Sequence, residues 1–487
     1  MDAGSYVKNR QLRKTKVVAT LGPACDSIET LKAMIHAGMD VARLNFSHGT
    51  HEEHRKRLEA VREAAAALGA NIAIMLDTKG VEIRSGRVEG GSVSLTTGES
   101  FTLYAEDRAG DSTGVSISDS RFFDQVHPGS LIFLDDGVME LRVVKTAAKQ
   151  LDCEITRGGR LEDRRGVNVP GARFGYQPMS RENREDLLFA IDHDIEYIAA
   201  SFVRSARNVS EISRLLEDHG AQIPVIAKIE NKEAVQNLDE IVAISNGTMV
   251  ARGDLGVELP LQEIPMIQKK IIRTTVRAGK PVITATQMLD SMERNPIPTR
   301  AEVSDVANAI LDGTSAVMLS GETAIGAYPV EAVRTMASLA RAAEGALSEY
   351  GDLQNIRSEP THVVTEAVSQ AAITMADHLE AAAIITLTES GFTSRSISKF
   401  RPRCPILAVS ASEQVVRKLA LNWGVTAILY QHERGAEDER SDEDMIQFGI
   451  RRALQQGYVQ RGDVVVATAG ISQRAGSTNL IRVVEVE

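Results

Sequence analysis

Cysteine is scarce in this chain. Its 487 residues include only Cys25, Cys153 and Cys404, odd in number and far apart. That pattern offers neither a disulfide framework nor a zinc site, and it fits a reducing compartment. Long apolar runs are missing too: none approaches the ~18 residues that span a bilayer. Positive charge is in deficit, with a net charge of −11. A nucleic-acid surface is therefore not the default reading, although an acidic protein can still hold a local basic pocket for an anion. Residues 1–16 are basic but lead into no apolar stretch, so no secretory signal is read. There is no tandem repeat and no long low-complexity tract. What remains is a soluble, cytoplasmic chain, too long for one ordinary core, with no membrane and no nucleic acid among its expected partners.

Eight short apolar runs each end in a polar or glycine-bearing turn: 16–22, 41–46, 72–79, 197–202, 224–230, 247–253, 281–287 and 316–321. Most precede a segment of helical spacing, such as 52–68, 205–216 or 263–278. Alternating strands and helices imply a parallel sheet, and eight such units in series imply a closed α/β TIM barrel, (β/α)8. In that fold the working groups sit at the carboxyl ends of the strands. The third unit is interrupted. Residues 81–177 are rich in Gly, Ser, Thr and Val with little helical period, and read as an inserted small all-β lid domain. After 347 the strand–helix pattern restarts as a separate C-terminal α/β effector domain. The expected divisions are 1–80 and 178–346 for the barrel, 81–177 for the lid and 347–487 for the C-terminal domain.

The strings that carry chemistry fall at strand ends. In Lys228-Ile-Glu230-Asn231, side chains two apart share a strand face, so Lys228 and Glu230 point together. A neighbouring run ends in Arg252-Gly253-Asp254. One ammonium and two carboxylates thus reach one rim. Glu230 and Asp254 are candidate Mg²⁺ ligands, since magnesium takes a few hard carboxylate oxygens and leaves the remainder to substrate and water. Each carboxylate could instead pair with an Arg or cap a helix. Lys228 could be a structural ion-pair partner, though a Lys aimed into a barrel mouth is expensive to bury.

After the second run come Arg43, Asn45, Ser47 and His48. Arginine forks match phosphate oxygens, and Asn and Ser oxygens suit a weakly hydrated monovalent cation; a helix-capping turn with a surface histidine would look the same. Asp77-Thr78-Lys79-Gly80 is the gateway to the lid, with Glu82 and Arg84 just beyond. Gly253 permits close backbone approach, and Thr286 ends the seventh run on the same rim. In the last domain, Thr386, Thr388, Ser390, Gly391 and Thr393 lie between a strand and a helix. Hydroxyls and amides there make a phosphate cradle, or a plain helix cap. The loop lacks the Walker ending of a P-loop NTPase.

Taken together these strings resemble the pyruvate kinase family. The resemblance rests on 15–24 (Thr-Lys-Val-Val-Ala-Thr-Leu-Gly-Pro-Ala), Arg43-Leu-Asn-Phe-Ser-His-Gly, Asp77-Thr-Lys-Gly, Lys228-Ile-Glu-Asn, Ala251-Arg-Gly-Asp-Leu-Gly, Ala285-Thr-Gln-Met-Leu and the long stretch from Pro298 to Thr323. It covers the chain in family order. It implies transfer of the phosphoryl group of phosphoenolpyruvate to ADP, with Arg43 and Lys228 on the moving group and Glu230 and Asp254 on Mg²⁺ or Mn²⁺. It further implies Gly253, Asp254 and Thr286 on the substrate carboxylate, with Thr286 relaying a proton through water. Asn45, Ser47, Asp77 and Thr78 would surround K⁺, and Asn45, His48, Arg84 and Arg165 would face the nucleotide. Glu82 stands where K⁺-requiring members carry Glu. A homotetramer activated by a phosphorylated metabolite is the expected assembly. Val81 replaces the usual Pro at the hinge, Arg165 stands where Lys is common, and Phe392 and the loop 470–479 differ from many bisphosphate-activated members. Two other classes remain open on the residues alone. One is a Mg²⁺-dependent lyase or aldolase on a similar barrel, which would need no nucleotide-facing Arg84. The other is a silent metabolite sensor, which would not need the set Arg43, Lys228, Glu230 and Asp254.

Overall fold

The structure is a computed structural model that describes residues 13–80, 83–135, 137–171, 179–351, 363–431, 441–470 and 478–487. Val81, Glu82 and residues 471–477 lie outside the described residues, so the readings placed on them are not addressed by it.

Eight parallel strands close a barrel: β1 (Lys16–Thr20), β2 (Val41–Asn45), β3 (Ala73–Asp77), β4 (Tyr197–Ala200), β5 (Val225–Ile229), β6 (Gly247–Ala251), β7 (Val282–Ala285) and β8 (Ala316–Leu319). They follow sequence order around the ring, and β8 pairs with β1 to shut it. These are the eight apolar runs. Their residues alternate between two cores, as a two-residue period requires. Val17 and Ala19 pack outward against helices, while Val18 joins Met75, Ile226, Met249, Ile283 and Met318 in the lumen. Both layers are dry, which is why the strands read as continuous apolar runs rather than alternating ones.

The lid inserted after β3 is a six-stranded sheet and a two-stranded pair. It contains a short 3-10 turn, Glu89–Gly91, and one α-helical turn, Phe122–Gln125, among its described residues, and has its own core around Phe101, Phe122 and Ile132. The C-terminal domain has a five-stranded sheet of β9 (Ala383–Leu387), β10 (Ile406–Ser410), β11 (Val425–Leu429), β12 (Val464–Gly470) and β13 (Thr478–Glu485). Its order is β11-β10-β9-β12-β13, and only β13 runs antiparallel. This domain seats against the barrel floor. Ala420 and Leu421 enter the lumen cluster, Tyr197 donates its hydroxyl to the Lys418 carbonyl, and Lys16 Nζ donates to the Val425 carbonyl at 2.7 Å. Among the described residues, no helix is long and apolar enough to cross a membrane.

Candidate active site at the barrel mouth

Asp77 ends β3 and is the hub of the mouth. Strand register sets Asn45 of β2 beside it. Its Oδ2 accepts from Arg43 Nε at 2.7 Å, and its Oδ1 accepts from Lys228 Nζ at 2.9 Å. Lys228 reaches Glu230 Oε1 at 2.8 Å on its other side. The shared strand face of Lys228 and Glu230 is therefore realised. Asp77 and Glu230 are each 1% exposed and Lys228 is 9%. Burial alone would raise the Asp77 pKa, but Arg43 and Lys228 outweigh it and hold the carboxyl below its ordinary value. Burial likewise pulls Lys228 down, and Asp77 and Glu230 outweigh it, so the ammonium is held above its ordinary value. Four ionised groups thus share one dry rim, two of each sign.

Ser201, just past β4, joins this network. Its Oγ accepts from Lys228 Nζ at 2.8 Å and donates to the Thr78 carbonyl at 2.7 Å. Thr20 Oγ1 accepts from Arg43 Nη1 at 2.9 Å. Next to Ser201, Phe202 takes the left-handed region at φ 52° and donates its amide to Glu230 Oε2 at 2.6 Å. A non-glycine residue held there stores strain, which the surrounding contacts must sustain. Gly80 permits this packing: a Cβ on it would lie 2.0 Å from the Phe202 ring.

On the opposite wall the helix Arg252–Glu258 starts directly after β6, so Asp254 lies in its first turn. The Gly253 amide donates to Thr286 Oγ1 at 2.8 Å, and that hydroxyl donates to the Ala285 carbonyl at 2.6 Å. Thr286 and Gln287 are both left-handed, at φ 66° and 53°. Arg252 clamps them, donating to the Thr286 carbonyl at 2.7 Å while its other arm grips Asp305 at 2.6 and 2.8 Å. Asp305 lies on the helix Arg300–Leu311, whose start is fixed by a capping box between Thr299 and Glu302. Much of the long stretch beginning at Pro298 is thus cap and clamp.

Asn45 Oδ1 accepts the Ser47 amide at 3.2 Å. His48 is exposed, and its carbonyl accepts from His54 Nε2 at 2.8 Å. Arg84 and Arg165 sit together in the lid. Arg84 bridges Gly166, Arg84 Nη1 donates to the Arg164 carbonyl at 3.0 Å, and Arg165 meets Asp135 and Glu162. In the C-terminal loop, Thr386 bonds Ser394 at 2.7 Å, Thr388 accepts the Gly391 amide at 2.9 Å, and Thr393 bonds Thr478 at 2.6 Å. Ser390 is exposed, and Gly391 is left-handed at φ 80°.

Ser201, Thr20, Arg252 and Asp305 were given no role from sequence. Among the described residues, no group of three or more His, Cys, Asp or Glu gathers as a metal cluster. Glu230 and Asp254 nevertheless suit a divalent cation. They are hard oxygen donors, and only two of the roughly four lone-pair positions of Glu230 are in use, by Lys228 and Phe202.

Residues 12–333 match the family model described as pyruvate kinase, barrel domain, and residues 366–484 match pyruvate kinase, alpha/beta domain. The chain belongs to the pyruvate kinase family. A pyruvate kinase of Geobacillus stearothermophilus is 48% identical over 97% of this chain and 80% of the relative. One of Bacillus licheniformis is 46% identical over the same shares, and one of Clostridium acetobutylicum is 44% identical over 98% of this chain and all of the relative. Membership in the pyruvate kinase family makes the chain an enzyme of the phosphotransferase class.

Proposed function

We propose that this enzyme moves the phosphoryl group of phosphoenolpyruvate to ADP, giving pyruvate and ATP, at the mouth built on Asp77. One observation carries the reading: the Lys228 ammonium is fixed between Asp77 and Glu230, with Arg43 on the other oxygen of Asp77. Transfer between two anions needs charge cancellation and alignment more than covalent help. Lys228 and Arg43 hold the moving phosphoryl, pre-positioned by acids that cannot relax away. Thr286 Oγ1 and the Gly253 and Asp254 backbone receive the substrate carboxylate. The Gly253 amide then exchanges its bond to Thr286 for one to the ligand. Glu230 and Asp254 would hold Mg²⁺ or Mn²⁺, which would supply positive charge to the oxygens that gain negative charge. Asn45, Ser47, Asp77 and Thr78 offer oxygens for K⁺. Asn45 and His48, with Arg84 and Arg165 from the lid, face the nucleotide. The enol product takes its proton at carbon through water ordered by the Thr286 hydroxyl, which is too weak an acid to act alone.

The loop Thr386, Thr388, Ser390, Gly391 and Thr393 takes a phosphorylated metabolite as activator. A homotetramer is the assembly proposed; Leu261, Met266 and Ile297 on the barrel and Leu480 and Val483 on β13 are large apolar side chains left exposed that it could cover. Cysteines that are all free thiols fit a cytoplasmic location. The test mixes phosphoenolpyruvate, ADP, Mg²⁺ and K⁺ and measures pyruvate, then repeats with Na⁺ in place of K⁺. Pyruvate should form and its rate should fall in Na⁺. Absence of pyruvate would defeat the activity, and an undiminished rate in Na⁺ would defeat the K⁺ site.

A further inference from the structure

A cavity of about 480 Å³ lies between the barrel floor and the C-terminal domain, and none of the residues that line it belongs to the mouth or to the loop 386–393. The barrel lends Ile310, Leu347 and Glu344 to its walls, and the C-terminal domain lends Ile373, Arg401 and Trp423. Its size and its seat between domains are those of small-molecule pockets. Its charge is unbalanced. Lys14, Arg401 and Arg403 face it against Glu344 and Asp377, and Glu344 is already engaged by the Lys14 and Thr15 amides.

Arg401 is the unusual member. Its backbone is left-handed at φ 54°. Nη2 donates to the Gly313 carbonyl at 2.8 Å, yet Nε and Nη1 are shut off from solvent with no hydrogen-bond partner. The guanidinium instead lies 4.5 Å from the Trp423 ring centre, and the Lys14 ammonium lies 5.3 Å from the same ring. Two cations thus share one indole and no acid is hydrogen-bonded to the guanidinium; Glu344 acts on both cations from nearby, and Lys14 Nζ donates to the Pro402 and Arg403 carbonyls. Burial pushes the Arg401 pKa down to about 9, and the nearby Glu344 carboxylate offsets only part of that. Desolvated donors without acceptors are costly to keep.

We infer that this cavity is a binding site for a small organic anion, a carboxylate or phosphate ester on an apolar or ring-shaped body. The anionic head lies toward Arg401 and Lys14, and the body fills the space against Ile310, Leu347 and Ile373. A ligand there touches both domains at once and holds them together.

Trp423 is the only tryptophan in the chain, so its emission reports the surroundings of this one ring. The experiment titrates the full chain with phenyl phosphate and, separately, with 3-phenylpropionate, following Trp423 emission and the heat of binding. The two probes distinguish a phosphate ester from a carboxylate. At least one should give a saturable, one-to-one change and raise the melting temperature. Arg401→Met should weaken it at least tenfold. Leu347→Phe, which narrows the cavity and leaves every charge in place, should do the same, so the result does not hang on one buried cation. Circular dichroism checks that each variant is folded. No saturable signal from either probe up to roughly 10 mM, or an unchanged affinity in folded Leu347→Phe, would overturn the site.

Discussion

The barrel mouth and the C-terminal loop both gather polar side chains at strand ends, and they satisfy them differently. At the mouth the groups are ions, buried and held by partners from other strands: Asp77 by Arg43 and Lys228, and Glu230 by Lys228. In the loop they are hydroxyls that mostly bond within their own domain, Thr386 to Ser394 and Thr393 to Thr478. A hydroxyl pair costs little to bury and explains itself. A buried cluster of four ions is not a cheap way to stabilise a fold, because desolvation offsets most of its attraction. The contrast teaches where function should be sought: several buried ions gathered at the open end of a barrel point to a ligand more strongly than hydroxyls at a helix start do.

The sharpest way to break this comparison is Asp77→Asn. It leaves Lys228 and Arg43 beside one another without their shared acid, which should remove about 3–5 kcal/mol of stability and most of the activity. Chemical denaturation and pyruvate formation read the two effects. A loss under 1 kcal/mol, on the order of an exposed pair, would place the mouth in the same class as the loop. A smaller effect, about 1–3 kcal/mol by overpacking, is expected for Gly80→Ala, whose new Cβ meets the Phe202 ring. It should lower kcat as well, because Phe202 holds Glu230. Gly345→Ala, at the end of the helix Pro329–Gly345, where the backbone is not left-handed and a Cβ meets nothing within 4 Å, controls for the loss of glycine.

A third expectation concerns acid. His54 stacks on Phe46 at 4.1 Å behind the mouth, and burial pushes its pKa down to about 4. The unfolded chain protonates near 6.5 and the folded one near 4, so the unfolded state binds more protons in between. This contribution is present in full above about pH 6.5 and is lost progressively down to about pH 4, where the loss reaches roughly 3 kcal/mol. His54→Phe should flatten the melting temperature over that window. An unchanged acid slope would contradict it. The mildest expected effect lies in the loop. Ser390→Glu should abolish activation by whichever sugar phosphate or nucleotide activates the wild type. Equal activation of both would remove the loop from effector binding.

The barrel itself was legible in the sequence because each strand announces itself locally. A short apolar run such as 224–230, buried on both faces, has no other good home. Lys228 and Glu230 were legible for the same reason, since the strand period alone sets them on one face. Ser201 and the Arg252–Asp305 clamp were not, because each acts across strands or helices far apart in the chain, and local periodicity says nothing of such pairs. The left-handed turns at Phe202, Thr286 and Gln287 were hidden for another reason. None is a glycine, so residue type predicts the opposite backbone. Nor did any local pattern show that Ala420 and Leu421 would stopper the barrel floor, since 419–421 reads as an ordinary helix end.

The central claim is that the cations at the mouth drive the transfer and do not merely retain substrate. The direct test is a rapid-quench measurement of the first turnover on Lys228→Met, with phosphoenolpyruvate, ADP, Mg²⁺ and K⁺ all saturating. Loss of a cation that matters most at the transition state should slow the first turnover by about a thousandfold or more. A first turnover as fast as the wild type's, with only KM raised, would contradict the account.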